Sequence, residues 1–287
     1  MRRVVGIDVG SGFTKAVILE DPESSTPLTE GPNSAVSGSS GPVVLGRGRV
    51  KTGVDLENAA SQALEMALAA AGLKGSDVEY VATTGFGRYS ISFRDIQVTE
   101  ITSGAHGTRY LFPWATAVLD IGSQSTRAIT LKENGKVAHF KTNEKCAAGS
   151  GSFIVRAAKY LQIPLEEVGE LALRANNPQP ISSICAVLAE SEIVNHISAG
   201  ISVEDILCGI YDSLADRAST LLKRVGMGAE LIFIGGVAQQ RGMVRALENR
   251  LKVKVQVPAQ CEYICALGAA LLGMKRLQAG PGSQRAA

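Results

Sequence analysis

An acid, a glycine turn and a hydroxyl recur in the same order at 8-DVGSG-12 and 120-DIGSQ-124. Turn glycines let backbone N–H groups approach an anion, and Ser11 and Ser123 add hydroxyl donors. Asp8 and Asp120 each end an apolar run, where a carboxylate is costly to bury unless it binds something. Holding water on Mg2+ is the natural task for an acid in that place. Lys15 adds a point charge suited to phosphates. Either hairpin alone reads equally well as an ordinary tight turn. The matched pair, with Gly235-Gly236 after a third apolar run, points instead to a phosphate-binding constellation.

A second chemistry is carried by sulfur. Cys146 lies in 145-KCAAGSG-151, and Cys185 lies in 182-SSICAVLAESEIVNHIS-198, with Ser182 or Ser183 as N-cap. Both thiols are placed at helix N-termini, where the dipole and free N–H groups favour thiolate and stabilise an anionic metal–sulfur cluster. Ala147, Ala148 and Gly149 leave room for a bulky group. Two ligands cannot complete a four-thiolate cluster; a dimer giving the same pair from each subunit would. On spacing alone, with no CxxC, two buried structural thiols remain an equal reading. Cys208 falls on an apolar helical face and reads as core. Cys261 and Cys265 have metal-compatible spacing without further ligands nearby, and packing is the expectation. His139 and His196 read as surface or capping groups, and Glu190 and Glu192 as a solvated face that one of them leaves to meet a partner.

The elements that position these residues follow from pattern and punctuation. Residues 4–9 and 15–19 are β-rich runs around Gly10-Ser11-Gly12 and read as a hairpin. Residues 21–42, rich in Pro, Gly and Ser, read as a loop with room for an edge strand. Residues 55–71 read as a helix with Asp55 as N-cap and Gly72 just past its end. A short strand at 78–83 leads into the turn 84–87. Further strands are expected at 118–120, 127–131, 231–234 and 253–257. Helices are expected at 152–161, 164–175, 184–198, 204–225, 242–251 and 262–277, and the tail 279–287 is expected to be disordered.

Setting 8-DVGSGFTKAVIL-19 over 120-DIGSQSTRAITL-131 gives identity at six of twelve positions, with Val/Ile and Lys/Arg exchanges among the rest. That match indicates a duplicated unit at domain scale, not a solenoid. The expectation is two similar lobes facing each other across a cleft: residues 1–116 with the last helix (262–278) packed back on them, and residues 117–261 carrying both cysteines.

Composition narrows the classes. The chain has 287 residues, 45% hydrophobic and 20% charged, with net charge +2, as in a soluble globular protein. No domain-wide basic stripe suggests nucleic acid. No apolar stretch approaches the roughly 20 residues of a membrane span, and Asp8 interrupts the only signal-like start. A cytoplasmic chain is the expectation, and five cysteines in that setting do not suggest a disulfide framework.

The two DxG hairpins and the later strand–Gly-Gly–helix resemble the acetate kinase, sugar kinase, Hsp70 and actin superfamily. That resemblance implies an α/β fold of two duplicated ribonuclease-H-like lobes closing on ATP (or ADP) and Mg2+. Asp8, Gly10 and Ser11 match its first phosphate motif, flanked by Gly12, Thr14 and Lys15. Asp120, Gly122, Ser123 and Gln124 match the second. Gly235 and Gly236, with Gln239 following, match the adenosine motif. Within that superfamily, 6-GIDVGS-11, 81-VATTGFGR-88, 118-VLDIGSQ-124, 145-KCAAGSG-151, 181-ISSICAVLAESEIV-194, 235-GGVAQ-239 and 266-ALGAALLG-273 are similar to one family. It holds the ATPases of benzoyl-CoA reductase and the activators of 2-hydroxyacyl-CoA dehydratases, and the chain is most similar to the D-type reductase subunits.

This resemblance implies a 4Fe-4S cluster shared by two ATPase subunits through Cys146 and Cys185. It also implies ATP hydrolysis driving a low-potential electron onward, substrate-binding reductase subunits and a ferredoxin-type electron donor. Glu100 would position the attacking water. There are departures. Ser125 stands where the family often has an acid, and in 100-EITSGAHG-107 Gly104 takes a His position, with His106 displaced by two. They suit an assembly whose two ATPase subunits have diverged. A homodimeric dehydratase activator is the alternative inside the family. A small-molecule kinase or a nucleotide-gated scaffold is the alternative outside it.

Overall fold

The computed structural model describes residues 1–21, 41–143, 150–182 and 186–280. They form two compact units. The first comprises Met1–Trp114, Lys132–Lys136 and the chain from Tyr263 onward, and the second comprises Ala115–Leu131 and Val137–Glu262.

In the first unit, strands β1 (Arg2–Val9), β2 (Phe13–Asp21), β3 (Val43–Lys51), β4 (Tyr80–Thr84) and β5 (Ile96–Gln97) form a sheet in the order β3-β2-β1-β4-β5. The β1–β2 and β2–β3 pairs are antiparallel, and β1–β4 and β4–β5 are parallel. Helices α1 (Leu56–Ala71), α2 (Glu100–Leu111) and α8 (Ile264–Ala279) cover it. The second unit repeats the plan with β6 (Ala117–Ile121), β7 (Thr126–Leu131), β8 (Val137–Asn143), β9 (Leu231–Ile234) and β10 (Val255–Gln256), ordered β10-β9-β6-β7-β8 with the same senses of pairing. Its helices are α3 (Gly151–Leu161), α4 (Leu165–Ala172), α5 (Ala186–Ser198), α6 (Val203–Arg224) and α7 (Arg241–Leu251). The duplicated sequence motif is thus the visible part of a duplicated sheet. None of the described helices is long and apolar enough to cross a membrane.

Alternation along β1 decides what each face does. Val5, Ile7 and Val9 pack with Ala60, Ala63 and Ala67 of α1. Gly6, on the opposite face, meets α8 so closely that a Cβ there would lie 2.0 Å from Ala266 O and 2.4 Å from Ala270 N. Asp8 shares the Gly6 side of the strand, so the acid emerges at the end of the α8 face. Gly6→Ala should destabilise the first unit by about 2–3 kcal/mol, because backbone atoms cannot swing aside as a flexible side chain can. Urea unfolding with the midpoint and slope both fitted is the check.

Helix α1 starts and stops as its sequence dictates. Asp55 Oδ1 accepts from the Asn58 N–H at 3.0 Å, and Gly72 closes the helix at φ +66°. Four elements escape the sequence pattern: β3, β5, β8 and α2. Helix α2 carries Gly104 and Gly107 within its length. It forms because it packs on α8 at a point where side chains are excluded. A Cβ on Gly107 would lie 2.2 Å from Ile264 O, and one on Gly268 would lie 1.8 Å from Ser103 O. The strand expected over 253–257 is limited to Val255–Gln256, and the helix expected over 164–175 ends at Ala172. Most of the expected 21–42 loop and the 281–287 tail lie outside the described residues.

Candidate functional site

The first site grows from the end of β1. Asp8 and Lys15 are direct cross-strand partners, with Lys15 Nζ 3.0 Å from Asp8 Oδ2 and Asp8 8% exposed. The turn between them is pinned from below. Thr52 donates its N–H to Gly12 O (3.2 Å) and its hydroxyl to Gly10 O (2.6 Å). Thr14 corrects one expectation. It pairs with Val9 on the opposite face of the ribbon from Lys15, is fully buried, and its Oγ1 lies 3.0 Å from Thr52 Oγ1. It holds the turn's base, where burial was not expected. Gly10, Ser11 and Gly12 are partly exposed at the turn itself.

Residues after β4 close over this acid. Gly85, at φ +92°, has no room for a Cβ, which would sit 2.6 Å from Asp8 Oδ1. The Gly87 N–H donates to Val9 O at 2.9 Å. Thr84 is in register with Asp8 and receives a bond from Ser103 Oγ of α2 at 3.1 Å, both residues being fully buried. Glu100, in the first turn of α2, is 3.0 Å from Arg88 Nη1.

The second unit repeats the geometry. Asp120 is 4% exposed, is the cross-strand partner of Arg127 and lies 3.0 Å from Arg127 Nη1. Gly235, at φ +89°, occupies the place that Gly85 holds in the first unit, because its Cβ would be 2.5 Å from Asp120 Oδ1. Each unit therefore presents the same triplet of acid, cross-strand cation and positive-φ glycine. The pairing of Gly85 with Gly235 is the part that sequence reasoning misses. Laying 80-YVATTGFG-87 against 230-ELIFIGGV-237 is the signal that could expose it. Carboxylate oxygens held at a strand end by a displaceable cation suit a hard cation such as Mg2+.

The second turn is also tied to the helix after it. Gly122 donates the hairpin-closing bond from its N–H to Ser125 O at 2.9 Å, so Ser125 closes the turn. Gly122 O and Ser123 O then accept the N–H groups of Gly151 (2.9 Å) and Ser152 (2.8 Å), the first residues of α3. These helix N–H groups would otherwise lack partners. They are committed to the hairpin, which corrects the expectation that they stand free toward sulfur. Gln124, Gly236 and Gln239 are exposed. Beside the Gly235-Gly236 turn, Ala238, Gln239, Arg241, Arg245, Val255 and Cys261 line a cavity of about 680 Å³.

Cys146 and Cys185 lie outside the described residues, and so does Ser183. The helices after them are described. Helices α3 and α5 pack together, with Arg156 Nε 2.7 Å from Glu190 Oε1 as an ion pair lacking hydrogen-bond alignment, and Tyr160 donating to Glu190 Oε2 at 3.2 Å. Glu192 accepts the Ser182 N–H at 2.5 Å. Both acids thus brace α5, where a solvated face was expected. Two of the described thiols, Cys208 and Cys261, are poor nucleophiles and poor ligands. Burial, with help from Asp212 and Asp205, pushes Cys208 up to about 11, and burial with Glu262 pushes Cys261 up to about 12. Among the described residues no three His, Cys, Asp or Glu side chains gather as a metal would require. His196 Nε2 lies 3.3 Å from Pro180 O, a capping contact, and His139 is exposed.

The comparisons with known proteins agree with this geometry. The model of the BadF/BadG/BcrA/BcrD ATPase family matches residues 5–273. The D subunit of the benzoyl-CoA reductase of Thauera aromatica is 39% identical over 282 residues, covering 96% of this chain and 94% of that one. The activator of lactoyl-CoA dehydratase of Anaerotignum propionicum is 38% identical over 274 residues, covering 96% and 98%. Among solved structures, the activator of the 2-hydroxyisocaproyl-CoA dehydratase from Clostridium difficile with bound ADPNP superimposes with a TM-score of 0.83 at 31% identity, covering 99% of this chain and 100% of that one. Two mixed sheets built on one plan, two matched acid hairpins and a family match over almost the whole length lead to one conclusion: the chain has the actin-like ATPase fold and belongs to the BadF/BadG/BcrA/BcrD ATPase family.

Proposed function

We propose that this chain is the ATP-hydrolysing, electron-activating subunit of a benzoyl-CoA reductase, coupling hydrolysis to low-potential electron transfer. In this reading Asp8 and Asp120 hold Mg2+ through its water, and Gly10, Ser11, Gly12, Lys15, Gly122, Ser123 and Gln124 surround the phosphates of ATP or ADP. Gly235, Gly236 and Gln239 face the adenosine, and the 680 Å³ cavity beside them is of ordinary size for a small-molecule site. Glu100 orients the attacking water. Cys146 and Cys185 supply two thiolates to a 4Fe-4S cluster, the other two coming from a homologous ATPase subunit. When bound, such a cluster supplies one-electron transfer at low potential.

The observation that carries this reading is the pair of bonds from Gly151 and Ser152 to the carbonyls of Gly122 and Ser123. A phosphate-binding turn is thereby joined directly to the helix after Cys146. A shift of the turn on loss of a phosphate moves the start of α3, and α3 packs on α5, whose first residue comes just after Cys185. Val155, Tyr160, Val187, Leu188 and Val194 expose apolar surface on these two helices, as a subunit that completes its site with a partner requires.

A homodimeric activator of a 2-hydroxyacyl-CoA dehydratase is the second reading, supported by the 38% identity to the lactoyl-CoA dehydratase activator. Anaerobic purification of the tagged chain from its own cells separates the two. A different ATPase subunit together with substrate-binding subunits, turning over ATP with a ferredoxin-type donor, is expected for the reductase. Self-pairing with no second ATPase subunit would replace it with the dehydratase activator.

A further inference from the structure

We propose that Arg88 is a positioning residue for Glu100, fixing the carboxylate that orients water and tying it to the acid of the first hairpin. The inference rests on the proposed ATPase site and deepens it. Arg88 Nη1 donates both to Glu100 Oε2 (3.0 Å) and to Gly85 O (2.9 Å). Gly85 is the residue pressed against Asp8, and Gly87 bonds back to Val9 O. A single guanidinium therefore spans from the glycine turn over Asp8 to the first turn of α2. Its own place is fixed from two sides. Arg88 O accepts from Thr83 Oγ1 at 2.9 Å, and its Cζ stacks 4.6 Å over the Tyr89 ring.

The chemistry asks for this arrangement. A carboxylate on a helix's first turn can rotate about its χ angles and points at water productively only part of the time. Holding Oε2 on a guanidinium nitrogen that is itself anchored on Gly85 O limits those rotations, and with them the directions from which a water can approach. With the side chains of Arg88 and Glu100 only 19% and 14% exposed, the pair is shielded enough for its geometry to persist. Lysine reaches one acceptor as a point charge and cannot stack flat on Tyr89, so it reproduces only part of the effect.

The test uses the full chain with its co-purified partners and compares steady-state ATP hydrolysis by wild type, Arg88→Met, Arg88→Lys, Glu100→Gln and Arg88→Met/Glu100→Gln. Arg88→Met should lower kcat by about 100-fold, the loss typical of a misplaced group, while KM for ATP stays within about three-fold. Arg88→Lys should fall between Arg88→Met and wild type. The double variant should be no slower than Glu100→Gln alone, because Arg88 acts only through that carboxylate. Binding of a fluorescent ATP analogue should be unchanged in all five. A kcat within about two-fold of wild type in Arg88→Met, an Arg88→Lys no faster than Arg88→Met or no slower than wild type, a KM-only effect, or additive losses in the double variant overturn the assignment. If Arg88→Met fails to fold, Arg88→Lys carries the same kcat-against-KM test. A folded, nucleotide-binding wild type without turnover contradicts the ATPase reading itself, and this assignment with it.

Discussion

Cys185→Ala, purified without oxygen beside wild type, is expected to be a colourless protein that still folds and binds ATP. The cause is stoichiometric. A four-thiolate cluster shared by two subunits takes two sulfurs from each chain, so removing one leaves an incomplete set that no described residue can repair. Cys208 and Cys261 are unsuited to substitute, since burial holds both protonated well above neutral pH. Bound iron should fall by more than about ten-fold, and Cys146→Ala should behave alike. Nucleotide binding should survive, because both hairpins and the Gly235-Gly236 turn are built without either cysteine. Iron content by colorimetric assay, with ADP binding measured on the same samples, reads both halves. Cys208→Ala is the control and should keep its iron.

Asp120→Asn should abolish turnover while leaving the fold in place. Asp120 is paired with Arg127 and pressed by Gly235, so the amide fits where the carboxylate was but, in the proposed reading, gives the water on Mg2+ a neutral acceptor. Losing a charge that stabilises the developing phosphate negative charge through Mg2+ costs about 100- to 1,000-fold in kcat. The variant also removes the charge opposite the buried Arg127 cation, which costs about 3 kcal/mol. Thermal unfolding therefore needs to be followed alongside turnover, at a temperature where the variant is fully folded. Asp8→Asn should act in the same direction through Lys15, since the first unit repeats the arrangement. A variant that keeps its Mg2+-dependent rate removes Asp120 from the metal site.

Much of this site is legible in the residues. The two acid hairpins, the duplication they imply and the Gly235-Gly236 turn are all readable, because turn chemistry is local and a duplicated strand keeps its pattern. The caps of α1 are readable for the same reason. What escapes depends on tertiary contact. The run 43-VVLGRGRVK-51, just past the expected 21–42 loop, carries no expected element, yet it is β3. There a Cβ on Gly46 would lie 2.2 Å from Ala67 O, and one on Gly48 2.0 Å from Ala63 O, so the glycines let α1 lie on the strand. Gly107 hides α2 in the same way. Gly85 belongs to a motif visible in sequence, but only the sheet register brings it, like Gly235, against an acid. The roles of Cys146 and Cys185 come from their place before α3 and α5 and from the family resemblance.

The central claim is that ATP hydrolysis at the hairpins governs electron release from a cluster held by Cys146 and Cys185. It is tested most directly by reducing the anaerobic complex and following its visible absorbance against a one-electron acceptor after mixing with Mg2+–ATP, Mg2+–ADP or buffer. The expected result is a recovery of the bleached absorbance, as the cluster passes its electron to the acceptor, that needs Mg2+–ATP, is absent with ADP, and is lost in Asp120→Asn although that variant keeps its iron. A folded, nucleotide-binding complex that contains no iron, or one whose electron transfer proceeds equally well with ADP, would contradict it.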